Sequence, residues 1–292
     1  MKRFLLYLLS IVVVFIAVVY LLDYTFTAVY KDSKPRNKIA LAYKSKPQHY
    51  DVIFLGSSRA NNHFVPELFI DRGYKAYNFG ISGSRLEESA LLLKLLLKNG
   101  TKIKNIIVEV DLNINSNGFS DAVRADFYPY LKDSETIRDY YRHKNTDNFK
   151  ELYYLPYYRY LKYDARIGFR ELFFSAIGKQ SKNLQHDGFY ALKNTGKNME
   201  YDLSEYSPKK NVAYEYIKDI CKSNKIRLIA VTTPMCRNVK NIAYFDEVVK
   251  LYPEIYNFEN VVTNDDCFSS CGHMNEKGAT IFTKYLLDKF FK

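Results

Sequence analysis

The sequence predicts an α/β fold, a three-layer α/β/α sandwich on a parallel sheet, preceded by one transmembrane helix. Three observations point to it. Short apolar runs such as Asp51 to Leu55, Asn105 to Val110 and Arg227 to Thr232 stop at turn residues; helical patterns alternate with them; and Phe4 to Leu22 carries no charge at all. Continuous apolar runs bounded by turns are how strands buried on both faces read, and a strand, helix, strand order implies parallel pairing with both faces covered.

Taken in order, Phe4 to Leu22 is long enough, at ~1.5 Å per residue, to cross a hydrocarbon layer of ~30 Å. Lys2 and Arg3 also suit a cleavable signal peptide, but no small-x-small site follows the run, so the segment reads as an uncleaved signal anchor in contact with membrane lipid. The inner pair Lys2 and Arg3 argues for a cytoplasmic N-terminus, whereas Lys31, Lys34, Arg36 and Lys38 pull the opposite way. Long C-terminal domains translocate largely regardless of charge, so the domain is expected outside the cytoplasm on a single-pass anchor in the cell membrane.

Residues 24 to 49, polar and basic with Pro35 and Pro47, read as a stem, and residues 50 to 292 as one domain. Within it, Pro66 to Arg72 suits a short helix and Tyr74 to Phe79 a second strand. Leu86 to Lys98 is a helix with Ser84 as cap and Glu87 and Glu88 in its first turn. Residues 118 to 205, rich in Tyr and Phe, break the rhythm and read as an insertion forming helices over the active edge. The α/β pattern returns with helices over Asn211 to Ser223, Val239 to Leu251 and Gly278 to Phe291 around the strand Arg227 to Thr232.

A formal net charge of +11 suggests nucleic acid, but the lysines are dispersed and no recognition module appears, so none is expected as a partner. The basic surface suits either anionic lipid or attraction to an acidic envelope polymer. Cys221 reads as a small buried apolar residue; Cys236, Cys267 and Cys271 fall in loops where a disulfide, of open pairing, would rigidify the segment around His273 in an oxidising compartment. No zinc pattern or other metal site is present, and no cofactor motif. Gly56-Ser57-Ser58 lacks the Gly-Lys-Ser/Thr end of a phosphate loop, and Gly80-Ile81-Ser82-Gly83 lacks the third glycine of a dinucleotide fingerprint.

Four blocks carry the chemistry. The run Asp51-Val-Ile-Phe-Leu-Gly56-Ser57-Ser58-Arg59 ends a strand in a sharp turn, which exposes a serine oxygen at the carboxyl edge of a sheet. Tyr77-Asn78-Phe79-Gly80-Ile81-Ser82-Gly83, then Asp111-Leu112-Asn113 after the third strand, and Gly272-His273-Met274-Asn275 near the C-terminus follow. Each lies at a strand end or a helix start. A serine hydroxyl needs a base, and His273 is the best placed of the five histidines; His63 lies close in sequence but beyond the turn, and His186, followed by Asp187 in the insertion, reads as a surface residue or else a substrate contact.

These blocks resemble the SGNH (GDSL-type) esterase and acyltransferase superfamily, in its membrane-anchored branch, over residues 48 to 117 and 205 to 292. The resemblance implies a flavodoxin-like sandwich in which Ser58 is the nucleophile, Gly83 and Asn113 with the Ser58 N–H form the oxyanion hole, and His273 is the base. Ser57 stands where the name motif has Asp, and Ser270 where the family has the acid that orients the histidine. That leaves three orienters: Ser270 in a dyad, or Asp265 or Asp266 reaching His273 from the same loop. Arg59 and Arg85 are either contacts for an anionic substrate group or surface charge. The resemblance implies a serine esterase or O-acyltransferase acting on O-acyl groups, acetyl above all, of an envelope carbohydrate polymer, with an acyl-donor protein in the membrane as partner. The competing expectation is a silent SGNH-like protein that binds a glycan or a partner, supported by the missing Asp.

Overall fold

In the computed structural model, which describes residues 1–144 and 148–291, the chain divides into two compact units. One comprises Met1–Lys44 with Arg124–Gln180, the other Ser45–Val123 with Ser181–Lys292.

The second unit is α/β with a parallel sheet. Strands β1 (His49–Leu55), β2 (Ala76–Asn78), β3 (Lys102–Glu109) and β5 (Arg227–Val231) form a four-stranded sheet in the order β2-β1-β3-β5. Every pairing is parallel, as in Ile53 opposite Tyr77 and Ile106, and Val108 opposite Ala230. Successive strand residues point to opposite faces, yet Val52, Ile53, Phe54 and Leu55 are all buried, as are Ile106, Ile107 and Val108. A strand of that kind has to be apolar throughout, which is why its sequence shows no alternation. On one side Phe54 packs on Phe64 and Phe69, with ring centroids 5.1 and 5.2 Å apart, and Phe282 and Leu286 of the closing helix Glu276–Phe290 join the same cluster. Truncating Phe54 to Ala would cost ~3–5 kcal/mol.

Short pairs complete the unit. β4 (Tyr201–Asp202) pairs in parallel with β6 (Val239–Lys240), and β7 (Phe268–Ser270) pairs antiparallel with β8 (His273–Met274). The latter places Ser270 opposite His273. One disulfide, Cys236–Cys271, joins the turn after β5 to the turn before β8, while Cys221 and Cys267 are buried thiols.

The other unit is helical. Its N-terminal helix runs from Lys2 to Asp32, and the segments Glu135–His143, Phe149–Tyr154, Tyr158–Lys162, Asp164–Ile167 and Phe169–Ala176 are helices as well. The helix is exposed over the apolar stretch but buries Asp23, Phe26 and Tyr30. Phe26 packs edge-on to Tyr157 at 5.0 Å, Tyr30 stacks on Tyr160 at 6.0 Å, and Asp23 binds Arg159 and Lys132 at 2.9 and 2.8 Å.

Several expectations are corrected. Residues 24 to 32 are not a stem: the helix continues through them because one of its faces is covered, and Lys38–Tyr43 is helical too. Ser84 does not cap the helix Leu86–Lys98. Arg85 is its N-cap, with the Glu88 carboxylate accepting from the Arg85 N–H at 2.8 Å, while the Ser84 hydroxyl donates to the Gly56 carbonyl. The helix expected from Val239 begins at Tyr244, since Val239 and Lys240 are spent on pairing with Tyr201 and Asp202. The aromatic segment divides: residues 124 to 180 belong to the helical unit, whereas residues 181 to 205 run along the sheet unit, where the Tyr190 N–H donates to the Asn61 carbonyl.

Candidate active site

The site is built at the carboxyl ends of β1 and β3. The sheet order places β2 on one side of β1 and β3 on the other, and crevices for ligands open at such a reversal of strand order. β1 ends at Leu55, and Gly56 takes φ of +136°, a conformation L side chains rarely adopt. A Cβ there would lie 2.7 Å from Glu109 Oε2. The chain can therefore turn sharply and bring Ser57 against β3, where Glu109 Oε2 accepts from the Ser57 N–H at 2.8 Å and from its hydroxyl at 2.7 Å. Ser57 caps the short helix Ser58–His63, so Ser58 is the first helical residue and half-exposed.

Ser58 Oγ lies 2.8 Å from His273 Nε2, across 215 residues of sequence. On the other side of the ring, His273 Nδ1 is 3.2 Å from Ser270 Oγ. The imidazole therefore has a hydroxyl at each nitrogen. With its Nδ1–H donated to Ser270, the Nε2 lone pair faces the serine. Burial, reinforced by the Arg59 guanidinium, lowers the His273 pKa to about 4, so the ring is neutral at pH 7 and free to take a proton.

Among the described residues no carboxylate binds His273. Asp265 accepts instead from the Arg237 N–H at 3.0 Å, and Asp266 is exposed, its N–H donating to the Asn264 side chain and its carbonyl accepting from the Asn275 amide. Of the three expected orienters, the structure brings only Ser270 to the ring.

Ser58, Gly83, Asn113, Ser270 and His273 line one pocket of about 600 Å³. Gly83 holds φ of +80°, which turns the chain toward the helix at Leu86 and requires glycine. Asn113 lies on the single helical turn Asp111–Asn115, which Asn211 fixes by donating to the Asn113 and Ser116 carbonyls at 3.0 and 2.8 Å. Neither the Asn113 side-chain amide nor the Gly83 and Ser58 N–H groups have an acceptor among the described residues. Three unspent donors thus border the pocket that holds the serine oxygen. Asn78 supports the second block by donating to the Ala60 and Phe64 carbonyls and accepting from the Gly80 N–H.

Arg59 is not a surface charge. It is 5% exposed and binds Asp111 at 2.9 Å, so its charge is already matched. Arg85, half-buried at the rim, donates to the Phe119 carbonyl at 3.2 Å.

A buried network behind the site leaves no signal in the sequence. His63 Nε2 accepts from the Met274 N–H at 3.0 Å, and its Nδ1–H lies 3.0 Å from Thr233 Oγ1. Thr233 donates in turn to Asp111 at 2.6 Å, the carboxylate that also holds Arg59. Burial, with the Arg59 guanidinium, keeps the His63 pKa well below its ordinary value, consistent with a neutral ring that accepts at Nε2. The network ties the residue after His273 to the residue after Ser58. It supports both partners of the 2.8 Å contact.

Glu109 is the other missed residue. It is fully buried, one oxygen holds Ser57, and the second has no hydrogen-bond partner among the described residues. Burial and the neighbouring Asp111 raise its pKa to about 7, against the pull of Ser57 and Arg59. Its one sequence-level trace is a carboxylate in an otherwise apolar strand end, Ile106-Ile107-Val108-Glu109.

No family model matches this chain, and no curated protein does. A solved structure named as a "putative platelet activating factor" from Streptococcus pneumonia is similar over 97% of this chain and 99% of its own, at 12% identity and a TM-score of 0.38. A likeness so remote carries no argument about chemistry, which rests on the geometry above.

Proposed function

We propose that this chain is a membrane-anchored serine esterase or O-acyltransferase of the SGNH type, with a three-layer flavodoxin-like domain outside the cytoplasm. The single observation that carries the reading is the 2.8 Å contact of Ser58 with a neutral His273 inside a pocket bordered by three unspent donors.

The chemistry follows from that arrangement. Ser58 Oγ attacks an ester carbonyl as His273 Nε2 takes its proton, and the oxyanion meets the Asn113 amide and the Ser58 and Gly83 N–H groups. Collapse of the tetrahedral species expels the alcohol, which takes the proton back from His273, and leaves the acyl group on Ser58. Water or an acceptor hydroxyl then attacks the acyl-enzyme with the same ring as base. Ser270 holds the tautomer but adds no negative charge, so the machine is a dyad with a hydroxyl orienter. A pocket of about 600 Å³ exceeds the needs of an acetyl group and suits a sugar unit beside it, with Tyr201 on its wall. O-acetyl groups on an envelope polysaccharide are the proposed substrate, and transfer would require a membrane partner that supplies the acyl donor. The Cys236–Cys271 disulfide favours an oxidising compartment, and the helix Lys2–Asp32 is long and apolar enough to span a membrane or act as a signal sequence.

A second reading, a glycan-binding protein without turnover, draws on the absence of a carboxylate at His273. Labelling of the full chain with a fluorophosphonate probe separates the two. The enzyme reading expects labelling in the wild type and none in Ser58→Ala, together with loss of esterase turnover by ~10⁴ or more. A wild type that stays unlabelled, or a Ser58→Ala variant that keeps its turnover, overturns it.

A further inference from the structure

Asp23 is the first charged residue after the apolar stretch of the N-terminal helix, so it marks the level at which that helix leaves a bilayer. A carboxylate at that level is costly unless neutralised, and Arg159 and Lys132 bind it at 2.9 and 2.8 Å. The Tyr157 N–H donates to the same carboxylate at 2.9 Å, which fixes Tyr157 at the depth of Asp23. Three residues later, Tyr160 stacks on Tyr30 and its hydroxyl lies 2.9 Å from Thr27, so the chain from Tyr157 to Tyr160 runs along the helix away from the apolar stretch. Residues just before Tyr157 join the chain at the level of Asp23, the end of that run nearest the apolar stretch.

Those residues are Tyr154 and Leu155, which are 69% and 49% exposed. Tyr153 packs edge-on against Tyr154 at 4.9 Å, and Tyr24 on the helix is itself 73% exposed. Aromatic side chains with one polar end collect at the headgroup level, and long cationic side chains reach phosphates from there. Lys150 and Lys162 flank the pair and are exposed.

We propose that the Tyr153-Tyr154-Leu155 tip is a second membrane contact, seated in the phospholipid interface of the bilayer that the N-terminal helix crosses. The inference rests on that helix spanning the membrane. One helix alone leaves its unit free to rotate about the helix axis; a second contact, clamped to it through Asp23, removes that freedom.

The test uses full-length protein in vesicles of phosphatidylethanolamine and phosphatidylglycerol. Leu155→Cys and Val14→Cys are each labelled with an environment-sensitive fluorophore; the native cysteines are buried or disulfide-bonded. Val14 lies in the apolar stretch. Lipids bearing a nitroxide near the headgroup should quench the Leu155 probe by half or more. A nitroxide deep in the acyl chains should quench the Val14 probe. An unquenched Leu155 probe beside a quenched Val14 probe overturns the second contact while the anchor stands, and an unquenched Val14 probe overturns the anchor and the contact together.

Discussion

Replacing Ser270 with Asp puts a carboxylate against the ring nitrogen that now meets a hydroxyl at 3.2 Å. With the charges ~4 Å apart, their attraction is ~4 kcal/mol at an effective dielectric of ~20 and ~1 kcal/mol in bulk water. Ser270 is exposed, so the lower half of that range applies, about 1–2.5 kcal/mol, or ~1–2 pKa units on His273. The sign is fixed: a negative neighbour favours the imidazolium, so the pKa rises from about 4. A general base works when neutral, so the wild-type rate should fall only as pH drops below about 5, and in Ser270→Asp that acid limb should move up by ~1–2 units. If half of the new attraction is present in the transition state, the plateau rate gains ~0.5–1.3 kcal/mol, or roughly two- to tenfold. Hydrolysis of an activated acetyl ester by the full chain, measured from pH 3.5 to 9, reads both quantities. An unmoved acid limb with an unchanged plateau would refute the placement of Ser270 on the ring, and loss of activity in Asp266→Ala would transfer the orienting role to that residue.

Asn113→Ala should lower kcat by ~10²–10³ with KM nearly unchanged, since the amide acts on developing charge; a raised KM alone would make it a substrate contact. Glu109→Gln mimics the protonated acid. The folded pKa of about 7 lies above the ordinary 4.5, so the stability contributed by the protonated form is full below pH 4.5 and is lost as pH rises through 7. The fall in Tm from pH 5 to pH 8 should therefore shrink in Glu109→Gln, and an equal fall in both proteins would show that Glu109 is already ionised. Replacing Cys236 and Cys271 together with Ala should destabilise the sheet unit by ~2–4 kcal/mol in denaturant titrations, and should lower turnover because Cys271 lies two residues from His273; unaltered turnover would mean that the β7–β8 pair holds the ring unaided.

What the sequence made legible was local. β1 and its turn could be read because an apolar run meets Gly56 at once, and the helix Leu86–Lys98 because its leucines and first-turn acids agree on one element. The misread segments depend on partners far away in the chain. Residues 24 to 32 look like a polar stem until Phe26 and Tyr30 find Tyr157 and Tyr160, and Val239 looks helical until Tyr201 supplies a strand. Propensity is a weak prior against such tertiary terms.

The same distinction explains why the serine, the histidine and their donors were legible whereas the groups that hold them were not. A nucleophile and its base leave a pattern because chemistry dictates residue type at a turn. A supporting group needs only the right atom in the right place: Glu109 reaches Ser57 across 52 residues, and His63 reaches Met274 across 211. Both are spent on backbone N–H groups of the two loops that must meet, and a backbone donor gives no hint in the sequence of who accepts from it. Precision at the 2.8 Å contact therefore comes from residues that the proposed catalytic motif does not contain. Ser270 is the exception that joins the two kinds, since it lies within the histidine block and touches the ring, yet its residue type departs from the pattern that block resembles. Its hydroxyl supplies the orientation that a carboxylate would give and withholds the charge. For that reason the proton affinity of His273, rather than its geometry, is the property most open to change by a single substitution.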